Sequence, residues 1–266
     1  MQKLIEGFGN TPPLWKNEQF GLQQFQQPVY NGFTYVPFDI PARLRLGHQM
    51  EYVFKQLLVL SQQYELLGSN LLIEDGKSRI GELDFIVKEL SSNHYVHVEL
   101  AYKFYIIDPE ISEPIYRLVG PNRRDMFFTK LDKLKTKQLP ILYHESLNDF
   151  WANLKIDPVE IEQECCFKAQ LFAPYDSNPS IRPLNTACLI GKWIRFDEFN
   201  SREFQKANFY LPKKQEWVIE PHPKVKWLTH FETLMEVNLQ MVKVNAPMLW
   251  MRKSSGEIEK LFVVWW

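Results

Sequence analysis

The sequence predicts an α/β core, a mixed sheet flanked by helices, followed by a β-rich α+β region. Three observations predict it. Apolar residues recur at steps of three and four between residues 42 and 63, which is a helical period. Two runs, 79–88 and 94–107, are rich in β-branched and aromatic residues, as strands are, and follow a weaker strand candidate at 64–74. Beyond Pro158 the texture shortens to strand-like runs around one amphipathic helix.

Residues 1 to 40 carry Pro12, Pro13, Pro28 and Pro37 among Gln, Asn and Phe, which predicts an irregular lead-in. Asp39-Ile40-Pro41 reads as a helix start, with Asp39 as the cap and Pro41 in the first turn. The helix then runs from Ala42 to about Gln63. Its face carries Leu44, Gly47, Glu51, Phe54 and Leu58, and Gly47 is expected to allow close packing. Strands follow at 64–74, 79–88 and 94–107, the last two joined by Glu89-Leu-Ser-Ser-Asn93. Gly120-Pro121-Asn122 precedes a helix expected from Arg123 to Lys137, and a second helix is expected over Leu147 to Leu154. The runs ECCFKAQLF, ACLIGKWIRF and NFYLPKKQEWVI are read as strands, Val225 to Gln240 as a helix, and the end as two closing strands. The expected organisation is a lead-in at 1–40, a core at 41–158 and a β-rich region at 159–266 packed on it.

The 266 residues balance 31 Lys+Arg against 32 Asp+Glu, with 45% hydrophobic residues. Disordered and fibrous classes are excluded. A formal charge of -1 gives no global positive field, so nucleic acid or an anionic membrane would have to be held by a local patch. Cys165, Cys166 and Cys188 cannot make a disulfide framework and lack CxxC spacing, which predicts a reducing cytoplasm. No stretch approaches the ~20 apolar residues of a membrane span. No GxSxG, GxGxxG or GxxxxGK[ST] pattern occurs, so triad hydrolase, dinucleotide and P-loop readings have no support. The late Trp residues are expected in a sheet core rather than as a stacking surface for bases.

Alternation along strands puts Glu82, Asp84 and Ile86 on one face of the first hairpin strand, and His97, Glu99, Ala101 and Lys103 together on one face of the second. A tight turn at Ser91-Ser92 pairs Asp84 directly with Glu99. Opposed Cβ atoms lie roughly 4.5 to 5.5 Å apart, and like charges there are destabilising unless something neutralises them. A divalent cation such as Mg²⁺ does so with one or two carboxylates. Glu51, within the apolar stripe of its helix, needs a partner, a metal or a proton. His94 and His97 point oppositely and are not joint ligands.

With these residues in place the sequence resembles a known superfamily. Helical Glu51, GELDF with Asp84, HVELAYKF with Glu99 and Lys103, and a basic helix behind them look like the PD-(D/E)xK nucleases. More closely, GELDF, HVELAYKF and GPNRRD resemble the bacterial domain-of-unknown-function family numbered 1853, which is grouped with that superfamily. The resemblance implies a restriction-endonuclease-like fold and a Mg²⁺ (or Mn²⁺) site from Asp84, Glu99 and the Leu100 carbonyl, completed by Glu51. It gives Lys103 the catalytic lysine's role. The superfamily places that lysine two residues after the acid, where this chain has Ala101; Lys103 is on the same face but about 13 Å along the strand from Glu99. Arg123, Arg124, Lys130, Lys133 and Lys137, beside the apolar face of Phe127, Leu131 and Leu134, are the expected phosphate contacts, with Gln138 at the same edge. The implied function is Mg²⁺-dependent hydrolysis of DNA. The alternative is a non-cutting module of the same fold that binds nucleic acid or a protein.

Overall fold

Glu89 and Asn93 close the first hairpin. The Glu89 N–H donates to the His94 carbonyl at 2.8 Å and the Asn93 N–H to the Glu89 carbonyl at 2.9 Å. Asn93 takes φ 61, a left-handed conformation that Asn tolerates better than most residues. The turn fixes the register of the strands on either side as Phe85–Val98, Ile86–His97, Val87–Val96 and Lys88–Tyr95. This is the register expected from a turn centred on Ser91-Ser92.

The computed structural model describes residues 2–28, 40–41 and 43–266. Asp39, expected as a helix cap, and Ala42, expected as the helix start, lie outside the described residues. In chain order the elements begin with α1 (Gln2–Asn10), β1 (Glu18–Gln19), β2 (Leu22–Gln24), α2 (Leu46–Val59), β3 (Tyr64–Asp75) and β4 (Ser78–Glu89). Next come β5 (Tyr95–Ile107), β6 (Leu118–Val119), α3 (Phe127–Lys133), α4 (Asn148–Leu154), β7 (Ile161–Pro174) and β8 (Leu189–Arg195). The chain ends with α5 (Phe196–Phe199), β9 (Asn208–Tyr210), β10 (Leu228–Thr229), α6 (His230–Val242), β11 (Met248–Arg252) and β12 (Ile258–Val264). The described strands make a mixed sheet, mostly antiparallel, accompanied by helices. The protein is therefore of mixed α/β class.

Two compact units share the chain, and neither is a consecutive stretch. The first takes residues 13–102 and 129–168; the second takes 3–12, 103–128 and 169–266. The expected divisions at 40 and 158 do not coincide with these limits, because β5 and β7 each run through both units.

In the first unit β3, β4 and β5 are consecutive antiparallel neighbours, and β2 runs parallel to β7. α2 buries Leu46, Met50, Val53, Phe54 and Leu57, and the Phe54 ring meets Phe85 edge-on at 5.0 Å. At about 100° per residue that face leaves Gly47 and Glu51 off to its side. A Cβ on Gly47 would meet nothing within 4 Å. The expectation that Gly47 serves close packing is thus corrected, and Glu51 sits at the edge of the buried stripe rather than within it. A second cluster packs Leu142, Leu147 and Trp151 against Ile73, Leu83 and Ile86.

The second unit places β12 between β11, antiparallel, and β8, parallel. Its core includes Phe199, Phe204, Phe209, Val237, Leu249, Leu261 and Val263. A Cβ on Gly191 would fall 2.5 Å from the Phe172 ring and 2.8 Å from the Lys260 carbonyl, so only glycine lets β8 lie that close. Trp193, Trp217 and Trp250 are buried, as a sheet core requires.

Several element boundaries differ from the sequence reading. Among its described residues the lead-in is not wholly irregular: α1 forms there and buries Ile5 and Phe8, three residues apart on one face. α6 starts at His230 because Thr229 and Glu232 exchange side-chain and backbone hydrogen bonds, which is a capping box. α3 starts at Phe127 because Gly120 to Asp125 form a loop, with Arg123 at φ 52 and its N–H donated to the Gly120 carbonyl. NFYLPKKQEWVI is strand only over Asn208–Tyr210. No described helix is long and apolar enough to cross a membrane.

Candidate metal and phosphate site

The β4–β5 ladder ends at Phe85–Val98, and the two acids stand one residue beyond it. There the Leu100 N–H donates to Asp84 Oδ2 at 2.8 Å, and the Asp84 backbone favours the charged form of Glu99. The expected juxtaposition of Asp84 and Glu99 is therefore present. Leu100 contributes its N–H to the arrangement.

Both carboxyls are held above the usual carboxylate range. For Asp84 burial is the largest cause and the Glu99 charge the next, with the Leu100 N–H pulling the other way. For Glu99 burial again dominates, opposed first by Lys130. Glu99 is fully buried, while Asp84 keeps some exposure.

Glu99 is also clamped. His97 Nε2 lies 3.1 Å from Oε1, and Gln138 Nε2 donates to Oε2 at 2.5 Å. Gln163 Nε2 donates to the Leu139 carbonyl at 2.6 Å and faces His97 Nδ1 at 3.3 Å. With an amide donor at Nδ1, the His97 proton belongs on Nε2, facing Glu99. Burial pushes the His97 imidazole down to about 4, so it is neutral at pH 7. Gln138 Oε1 in turn accepts from Lys130 Nζ at 2.6 Å. Gln138 sits in the π-helical turn Leu134–Gln138 that continues α3, and its amide joins a cation to a buried acid.

The other expected residues stand elsewhere. Glu51 Oε2 lies 3.0 Å from His48 Nδ1, one turn back on α2, although its charge still reaches Asp84. With Lys55, Asn70 and Glu82 it lines a groove of about 330 Å³ beside α2. Among the described residues no group of three His, Cys, Asp or Glu is placed to hold a metal ion. Lys103 Nζ is 2.6 Å from Asp125 Oδ2, within the second unit. The amines that act on the buried acids are Lys130 and Lys133. Arg123 bonds Asp108 at 3.1 Å and stacks 3.7 Å above the Trp266 ring, also in the second unit. Arg124, Lys133 and Lys137 are exposed.

Sequence reasoning missed His97 and Gln163 as the support of Glu99. The available signal was spacing: His97 is two residues before Glu99 and so on its face of β5.

In charge, the Asp84–Glu99 pair fits a divalent cation: two oxygen-donor acids side by side, each disfavouring the other's ionisation. A family model described as Domain of unknown function (DUF1853) matches residues 33–264, most of the chain. No curated protein and no solved structure matches it.

Proposed function

The chain belongs to the DUF1853 family, and we propose that in this member Asp84 and Glu99 form the acidic centre of a Mg²⁺- or Mn²⁺-dependent nuclease that hydrolyses DNA, built on a restriction-endonuclease-like core. The observation that carries the reading is the pairing of a buried carboxylate, Glu99, with a partly buried one, Asp84, from neighbouring strands at the point where their ladder opens. When bound, a divalent cation supplies charge neutralisation at a phosphate. Asp84 presents the more accessible carboxylate, and Glu99 is oriented by His97 and Gln138. Lys130, held by Gln138, provides the cation that the resemblance assigns to Lys103. It balances negative charge as a phosphate approaches. Lys133 and Lys137 attract the backbone without regard to sequence.

The test is nicking of supercoiled DNA by the purified chain with Mg²⁺ or Mn²⁺. Wild type is expected to nick, and Asp84→Asn and Lys130→Ala are expected to lose activity. A second reading, a non-cutting module of the same fold, is favoured by the saturation of Glu99: both its oxygens already have side-chain partners. Under that reading wild type binds DNA and cuts with neither metal.

A further inference from the structure

Lys260 lies in the middle of β12, on a strand whose following residues, Leu261 to Val264, are all buried. The residue is only 7% exposed. Directly across the β11–β12 pair stands Trp250, and Lys260 Nζ passes 4.9 Å from the centre of that ring. The amine donates to Gln170 Oε1 at 2.7 Å and to the Trp217 carbonyl at 3.2 Å. Gln170 cannot turn away: it is 4% exposed and its Nε2 donates to Thr11 Oγ1 at 3.3 Å, whose hydroxyl goes to the Gly7 carbonyl at 2.8 Å.

Every acceptor on this amine is therefore neutral. Among the described residues no carboxylate is paired with it, and Glu220 acts on it only through space. A buried ammonium is ordinarily matched by an anion, because its lost hydration is otherwise uncompensated. Burial accordingly pushes Lys260 down to about 8, which still leaves it charged at neutral pH.

The amine lines a cavity of about 570 Å³ within the second unit. That volume falls in the range of small-molecule sites, about 300 to 1,000 Å³. Trp250, Pro12, Ile190 and Val218 supply apolar wall, while Glu6, Glu220 and Glu259 stand among the lining residues. The apolar wall suits an aromatic or branched aliphatic body. Lys3 also lines the cavity and Glu259 is paired with Lys253, but the acids still outnumber the lysines, which disfavours a ligand of multiple negative charge such as phosphate.

We propose that this cavity binds a small organic monocarboxylate with an apolar body, with Lys260 as its counter-ion and Trp250 as its stacking wall. The site is independent of the Asp84–Glu99 centre and stands whether or not the chain cuts DNA.

The test is calorimetric titration of the full chain at pH 7 with acetate, benzoate and phenylacetate, each against its own amide, and with inorganic phosphate. At least one carboxylate is expected to bind one-to-one, with its amide weaker by about tenfold, since the amide leaves the ammonium unpaired. Phosphate is expected not to compete. Lys260→Met, which keeps length and removes charge, is expected to abolish the preference for acid over amide. Glu220→Gln removes an opposing charge without touching the amine, so it is expected to tighten the carboxylate even if the Lys260 variant fails to fold. Equal binding of acids and amides, binding by phosphate, silence across the whole series, or an unchanged preference in Lys260→Met each overturns the proposal.

Discussion

The Asp84 carboxylate accepts the Leu100 N–H at 2.8 Å, so a side chain takes a donor that would otherwise extend the β4–β5 ladder. That substitution holds Asp84 beside Glu99 and stops the ladder at Phe85–Val98. The price is two acids in a setting that disfavours the charge of both. Such an arrangement costs stability unless a cation compensates the charge.

Asp84→Asn is therefore expected to stabilise the chain. The amide carbonyl still accepts the Leu100 N–H, while the charge facing Glu99 is gone. A gain of roughly 1–2 kcal/mol is expected from denaturant unfolding at pH 7 without divalent metal. Adding Mg²⁺ should stabilise wild type and leave the variant unmoved. An equal Mg²⁺ effect on both would remove Asp84 from any metal site.

Gln138→Ala is expected to destabilise by about 1–3 kcal/mol, because it deprives both Glu99 and Lys130 of a partner in a buried place. Gln138→Glu should be worse, since it sets a third negative charge against Glu99. Unfolding curves showing both variants at wild-type stability would make the Lys130–Gln138–Glu99 relay ornamental.

The hairpin was legible because two local rules agree on it. Strand alternation chose the faces, and the length of the turn between Glu89 and His94 chose the register. Membership of the family was legible from GELDF and HVELAYKF. The position of Lys103 on a face was read from the same alternation, but its partner Asp125 comes from a loop whose path depends on the left-handed Arg123. Glu51 was misplaced because Gly47 and Leu44 were counted into a stripe whose buried centre is Met50, Val53, Phe54 and Leu57. The role of Gln138 depends on the π-helical turn that carries it, and no residue in Leu134–Gln138 announces that turn.

The pH dependence of stability should carry the mark of Lys260. Its folded-state value of about 8 lies below the ordinary 10.5, so between those limits the unfolded chain binds the proton that the native chain releases. Stability then rises with pH across that window and is flat in this respect below it. Wild type is expected to gain up to roughly 3 kcal/mol relative to Lys260→Met between pH 8 and 10.5. Parallel stability curves for the two proteins across that range would mean that the buried amine keeps an ordinary affinity for its proton.

Two lysines compete for the catalytic role, and their partners separate them. Lys103 is bound to Asp125, an acid of the second unit, whereas Lys130 reaches Glu99 through one amide and lowers the cost of its ionisation. Lys103→Ala is therefore expected to leave Mg²⁺-dependent nicking within about twofold of wild type, losing only an ion pair of small worth. Lys130→Ala should abolish nicking while DNA binding survives. Binding should instead answer to Lys133 and Lys137, which are exposed and not bonded to Glu99, although the Lys133 charge acts on that acid through space. Reversing both to Glu removes about two phosphate contacts, so the slope of log affinity against log salt should fall in magnitude by about 2. If Lys103→Ala ends cleavage and Lys130→Ala does not, the resemblance had the right lysine and the Gln138 relay serves stability alone. If neither variant changes a wild type that binds but does not cut, the acids hold a fold together and the chain is a nucleic-acid-binding member of its family.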